Sequence, residues 1–175
     1  MILMDPADLQ DQAGMYRAFA RYFQDVQTLC PGSLNAMLDA SISCCSYSKR
    51  QIILQAETKP WMANPGGILH GGITSAYLDL SMGLICRYFS GGRMTRTIHA
   101  DVNYLRAVPI GTRICIRASL TKPGSGVCFT EGAIWADGSP QRLLATANGA
   151  YSVDRAESTS KSSSHQEAGS ASALG

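Results

Sequence analysis

The stretch Asn64-Pro65-Gly66-Gly67-Ile68-Leu69-His70-Gly71-Gly72-Ile73-Thr74-Ser75-Ala76-Tyr77-Leu78-Asp79 decides how the rest of the chain is read. It opens as a glycine-rich loop at 65–67. Gly71 or Gly72 then starts a helix that runs to about Phe89, where Gly91-Gly92 breaks it. One face of that helix carries Ile73, Ala76, Tyr77, Leu80, Leu84 and Tyr88. Another carries Leu78, Met82, Ile85 and Phe89. A helix that is apolar nearly all round is buried on most sides. Its single acid, Asp79, therefore needs partners or a task. Gly83, one turn later, leaves space beside the acid.

Outward from this helix the period changes from about 3.6 to 2. Upstream, Ile42, Cys44 and Ser46 alternate with Ser43, Cys45 and Tyr47. Ile52, Leu54, Ala56 and Thr58 alternate with Gln55 and Glu57. These predict two antiparallel strands that turn near Ser48-Lys49-Arg50. Downstream, Ile98, Ala100, Val102 and Tyr104 face one way, and His99, Asp101 and Asn103 the other. Three more alternating runs follow, separated by turns at 109–111, 123–126 and 136–140. Four strands joined by tight turns predict an antiparallel meander. The N-terminal segment 6–29 reads as a helix capped by Asp5, with Leu9, Ala13, Tyr16, Ala20, Phe23 and Val26 as its apolar stripe. The order helix, two strands, buried helix, four strands defines an α+β domain. One antiparallel sheet of about six strands must wrap a long central helix, with an extra N-terminal helix. The division is 1–30 for that helix, 31–153 for the sheet domain and 154–175 for a Ser- and Ala-rich tail. The tail has too little apolar mass to offset ordering, so it is expected to be disordered.

Composition narrows the function. The 175 residues are 45% hydrophobic and 16% charged, which suits one globular domain with a real core. A net charge of +2 and the absence of a Lys/Arg run argue against nucleic acid. No apolar run is long enough to span a bilayer, and 1–12 does not read as a signal or transit peptide. A cytoplasmic location is expected. Six cysteines include no Cys-x-x-Cys pair, so neither a metal site nor a disulfide framework is expected.

Two readings of the opening stretch remain open from the residues alone. In one, Asp79 is a structural acid bonded to Ser75 or capping a neighbouring loop, and the glycines are an ordinary turn. In the other, the N-terminus of the helix offers unpaired N–H groups and its dipole to an oxyanion, and Asp79 reacts. Helix arithmetic constrains the second. Gly71 and Asp79 are eight residues apart, about 12 Å along the axis. They cannot both touch one carbonyl unless a partner chain supplies one of them across a two-fold axis.

The pattern Asn64-x5-His70-Gly71-Gly72-x6-Asp79, with Thr97 and then Tyr104-x6-Gly111, resembles the hotdog-fold acyl-CoA thioesterases. Within them it is most similar to the phenylacetate-pathway (PaaI-like) branch of the 4-hydroxybenzoyl-CoA thioesterase superfamily, over roughly 35–153. The resemblance implies that Asp79 attacks the thioester or activates a water. It implies that the Gly71 N–H binds the thioester oxygen, with Gly72 beside it. Asn64 and His70 would shape the loop and orient substrate or water, and Thr97 would position the water. His99, Tyr104 and the turn containing Lys122, Gly124 and Ser125 fall where relatives contact coenzyme A. Read as residues alone, His99 suits a structural strand residue slightly better than a ligand contact, and Lys122 is equally a solvated turn lysine or, with the open amides near Gly124, a phosphate contact. Ala107 departs from the pattern where relatives often carry Pro. The expectation is a hydrolase of acyl-CoA thioesters that needs no metal or further cofactor. Coenzyme A belongs to the substrate, and the enzyme is a homodimer or a dimer of dimers. The alternatives are a hotdog hydratase or dehydratase and an acyl-CoA-binding protein without turnover.

Overall fold

The computed structural model describes residues 2–154. The disorder expected of the tail lies outside this range except at Asp154. There the backbone N–H donates to the Met94 carbonyl (2.9 Å), and the side chain pairs with Arg96. The elements in chain order are α1 (Gln12–Leu29), α2 (Leu34–Met37), β1 (Ser41–Ser46), β2 (Gln51–Glu57), α3 (Gly71–Phe89), β3 (Thr95–Tyr104), β4 (Arg113–Lys122), β5 (Val127–Ala136) and β6 (Leu143–Val153). The strands form one antiparallel sheet in the order β1-β2-β4-β5-β6-β3. Its curved inner face holds α3, as the hotdog fold requires.

Burial explains this arrangement. Tyr77, Leu78, Met82 and Ile85 of α3 are fully enclosed. So are Ile52 and Leu54 of β2, Ile114, Ile116 and Ala118 of β4, and Ile134 of β5. Each such Leu or Ile contributes about 1.5–3 kcal/mol. The period-2 faces of the strands thus meet the apolar faces of the helix, while a narrow stripe of Gly72, Ser75, Asp79 and Gly83 stays partly open. α3 stops at Ser90 because Gly91 and Gly92 both adopt positive φ (71° and 74°), a region most side chains avoid.

Four details differ from the sequence reading. The strands after α3 do not form a simple meander: β4, β5 and β6 do, but β3 pairs with β6 at the far edge while β4 pairs with β2. Closing the sheet around α3 requires this crossover, since the chain leaves the helix on the β6 side.

The N-terminal segment is also not one helix. Asp5 caps a short turn at Pro6–Asp8, and α1 starts separately under Asp11, whose carboxylate accepts from Gly14 N–H (2.7 Å). Its buried face is Met15, Ala18, Phe19, Tyr22, Phe23 and Val26, so Ala13 and Tyr16 of the expected stripe are exposed. The short helix α2, capped by Ser33, carried no periodic signal. Finally, a bulge in β1 between Ile42 and Cys44 turns Cys45 rather than Cys44 inward.

α1 packs on β1 and on the end of α3. The Phe19 and Tyr88 rings lie 5.3 Å apart, and Tyr88 donates to the Asp8 carbonyl (2.9 Å). The Gln12 amide donates to the Cys45 carbonyl and accepts from Tyr47 N–H, which covers the outer edge of β1. The opposite edge, β3, is exposed along nearly its whole length.

Candidate active site

The loop before α3 is built by Asn64, whose Oδ1 accepts from Gly66 N–H (2.8 Å) and Ile68 N–H (3.4 Å). His70 is the N-cap of α3: its Nδ1 accepts from Gly72 N–H (2.9 Å). The Gly72 N–H is therefore occupied. Gly71 N–H, one residue earlier, has no acceptor among the described residues. The Tyr104 ring lies over Gly71, and a Cβ there would come within 3.3 Å of it. Tyr104 in turn shares a 2.6 Å hydrogen bond with Ser75. Ser75 thus bonds Tyr104, and the bond to Asp79 considered from sequence is not formed.

Asp79 is half-buried in the middle of α3. Thr97 Oγ1 donates to its Oδ1 (2.7 Å), and Tyr151 Oη donates to the same oxygen (3.0 Å). The other oxygen, Oδ2, has no hydrogen-bond partner among the described residues. Tyr151 is 1% exposed. Burial first, and then the Asp79 charge, push its pKa far up, so the hydroxyl stays a donor. Thr97 reaches Asp79 because of a bulge between Thr97 and His99. Strict alternation would put Thr97 on the outer face with His99 and Asp101. The bulge lets Thr95 and Thr97 face α3 along with Val102, which packs on the core.

Two cavities open along the seam between α3 and β3. One, of about 340 Å³, is lined by Asn64, Gly71, Thr74, Tyr104 and Arg106 among others. The second, of about 190 Å³, is lined by Asp79, Gly83, Arg87, Thr97 and Tyr151, with Tyr22 and Asn35 from the N-terminal elements. One chain therefore places the Gly71 half and the Asp79 half in separate cavities. Asn64, His70, Gly71, Gly72 and Tyr104 stand together in the first half, and Asp79 and Thr97 in the second.

The remaining residues expected from sequence lie apart from both. His99 is exposed on the face opposite Val102. Lys122, Gly124 and Ser125 sit at the β4–β5 turn, beside the C-terminal end of α3, where Arg93 donates to the Ser125 carbonyl. The Lys122 ammonium lies 5.9 Å from the Phe129 ring centroid. A Cβ on Gly124 would collide with the Val127 carbonyl, so a tight turn accounts for that glycine. Sequence reasoning missed Tyr151, which lies 72 positions from Asp79 with no local motif to mark it. It also missed Arg87, although an arginine in the last turn of an apolar helix was a readable signal.

Residues 66–142 match the model of the Thioesterase superfamily. Three solved structures share the fold. Zebra fish thioesterase superfamily member 2 is 18% identical, covers 79% of this chain and 98% of its own, and has a TM-score of 0.70. The E. coli PaaI protein from the phenylacetic acid degradation operon is 15% identical, with 78% and 96% covered and a TM-score of 0.63. A Streptococcus mutans UA159 protein solved bound to acetyl CoA is 20% identical, with 66% and 90% covered and a TM-score of 0.58. These identities speak for the fold, a hotdog, and the family match covers the central segment alone. The family resemblance read from the sequence agrees with this match and with the fold. No helix among the described residues is long and apolar enough to cross a membrane.

Proposed function

We propose that the protein hydrolyses an acyl-CoA thioester to a free acid and coenzyme A, working as a homodimer. The observation that carries this reading is Asp79. One carboxylate oxygen is anchored by Thr97 and Tyr151, which leaves Oδ2 free at a cavity large enough for an acyl group. Oδ2 either takes a proton from an attacking water or attacks the thioester carbon itself, forming an acyl anhydride that a water then hydrolyses to the free acid and the restored Asp79 carboxylate. In both routes the carbonyl becomes an oxyanion, the C–S bond breaks, and coenzyme A leaves as a thiolate that takes up a proton. The Gly71 N–H, aligned with the α3 dipole, is the donor for the oxyanion.

Geometry supports the dimer. The Gly71 and Asp79 cavities are separate within a chain, and the outer edge of β3 is long, exposed and unpaired among the described residues. Unpaired edges of this length invite a second strand. Antiparallel pairing of two β3 edges would lay the Gly71 half of one chain over the Asp79 half of the other. The acetyl CoA complex of the S. mutans relative supports a coenzyme A thioester as ligand.

The test is thiol release over a panel of aryl-, short-, medium- and long-chain acyl-CoAs. Asp79→Asn is expected to lower kcat by about 10²–10⁴, the range for a lost acid–base group, with the fold intact by circular dichroism. Hydrolysis near the wild-type rate would sink the mechanism. Binding without thiol release, or loss of an enoyl double bond instead, would favour the non-catalytic or hydratase reading.

A further inference from the structure

The cavity beside Asp79 ends in an unusual set of groups. Asp79, Leu80, Gly83, Leu84 and Arg87 line it on successive turns of α3. Arg87 is only 7% exposed. Its Nε donates to the Gly92 carbonyl (3.2 Å), and one Nη donates to the Ile2 carbonyl. Among the described residues no carboxylate lies within ion-pair distance of it. A buried guanidinium with only carbonyl partners keeps an uncompensated charge, which is costly. Burial accordingly lowers the Arg87 pKa.

Two further donors stand at the same end. Asn35 Nδ2 donates to Tyr22 Oη (2.9 Å). The Tyr22 hydroxyl hydrogen is thereby left without an acceptor among the described residues. The Tyr22 pKa is raised by burial, against the opposing pull of Asn35 and Arg87, so the hydroxyl keeps its proton. Leu80, Leu84 and Met94 supply apolar lining to the same cavity, and the Thr95 hydroxyl beside them donates to the Gly83 carbonyl. The N-terminal elements α1 and α2, outside the segment that matches the family model, supply Tyr22 and Asn35.

We propose that this pocket selects acyl groups whose far end is a carboxylate, so that the substrate is the mono-coenzyme A thioester of a short dicarboxylic acid. The proposal rests on the thioesterase reading above. A carboxylate seated among Arg87, Tyr22 and Asn35 would compensate the buried cation with charge-assisted hydrogen bonds. The α3 rise from Asp79 to Arg87, about 12 Å, and a cavity somewhat larger than one that holds benzene suit a chain of roughly six carbons.

The experiment compares adipoyl-CoA with hexanoyl-CoA, which share chain length and differ in a terminal carboxylate against a methyl group. Wild-type kcat/KM is expected to favour adipoyl-CoA by at least about tenfold, the scale of one charged hydrogen bond. Arg87→Met is expected to lower the adipoyl-to-hexanoyl ratio at least about tenfold, with Arg87→Lys recovering part of it. Tyr22→Phe, which removes one hydroxyl and little volume, lowers the ratio several-fold and serves if the Arg87 variants fold poorly. A wild-type preference for hexanoyl-CoA overturns the proposal. So does an Arg87→Met variant that loses both activities equally, which would mark Arg87 as a structural residue. Absence of thiol release from every acyl-CoA would instead refute the thioesterase reading itself.

Discussion

Two backbone and side-chain details make the candidate site at the residue scale. His70 occupies the Gly72 N–H and so leaves Gly71 as the free donor at the start of α3. Thr97 and Tyr151 hold one oxygen of Asp79 and free the other. Gly71→Pro tests the first point directly. Proline is tolerated at the first position of a helix, yet it has no N–H to give. The variant is expected to fold, with the Tyr104 ring shifting slightly, and to lose about 10²–10³ in kcat, the usual cost of one oxyanion donor. Steady-state thiol release measures this, and an unchanged kcat would remove Gly71 from the mechanism. The motif Asn64-x5-His70-Gly71-Gly72-x6-Asp79 was legible because helix-start and helix-centre positions are set by local spacing. Tyr151 was not, because it reaches Asp79 only after two strands have folded over the helix.

Elements were read well where a long periodic run met a clear breaker. The α3 boundaries and the turns between later strands came straight from glycine and proline positions. They were read poorly where a cap or bulge broke the period. α1 begins at Asp11 and not at Asp5, because the Asp11 carboxylate, and no upstream group, satisfies Gly14 N–H. Asp11→Ala is expected to cost about 1 kcal/mol, or a fall in Tm of about 2–4 °C for a chain of this size. A thermal melt checks it, and an unchanged Tm would mean that the cap is dispensable. The β3 bulge matters more. Without the extra residue between Thr97 and His99, Thr97 would face away from Asp79.

At the scale of the whole molecule, the proposed site is expected to be complete only when two chains meet. Subunit complementation tests this. Asp79→Ala and Gly71→Pro chains are each expected to be inactive alone. Random mixing makes half the dimers mixed, each with one intact site of two, so about a quarter of wild-type activity should return. No recovery from co-refolded chains would show that each chain carries its own complete site.

Buried tyrosines give a second molecule-wide expectation. Tyr77 and Tyr151 are almost fully enclosed, and burial raises both pKa values far above the usual value for tyrosine. A pKa raised by folding contributes stability below the unfolded value near 10 and loses it as pH climbs through and above that value. At about pH 11 each costs about 1.4 kcal/mol. Tyrosinate absorbance should therefore rise together with the loss of tertiary structure; independent titration of all tyrosines in a folded chain would contradict this.

By itself the sequence determined that one apolar helix carrying one acid is enclosed by an antiparallel sheet, because hydrophobic period and glycine breaks are local properties. It also carried the distance between Gly71 and Asp79, since helix rise is fixed. Only the tertiary structure decided which strand lies at the free edge, how a bulge turns Thr97 toward Asp79, and that Tyr22, Asn35 and Arg87 meet at the end of one cavity. Those contacts join residues more than ten positions apart. They depend on crossover and register, which no local pattern encodes.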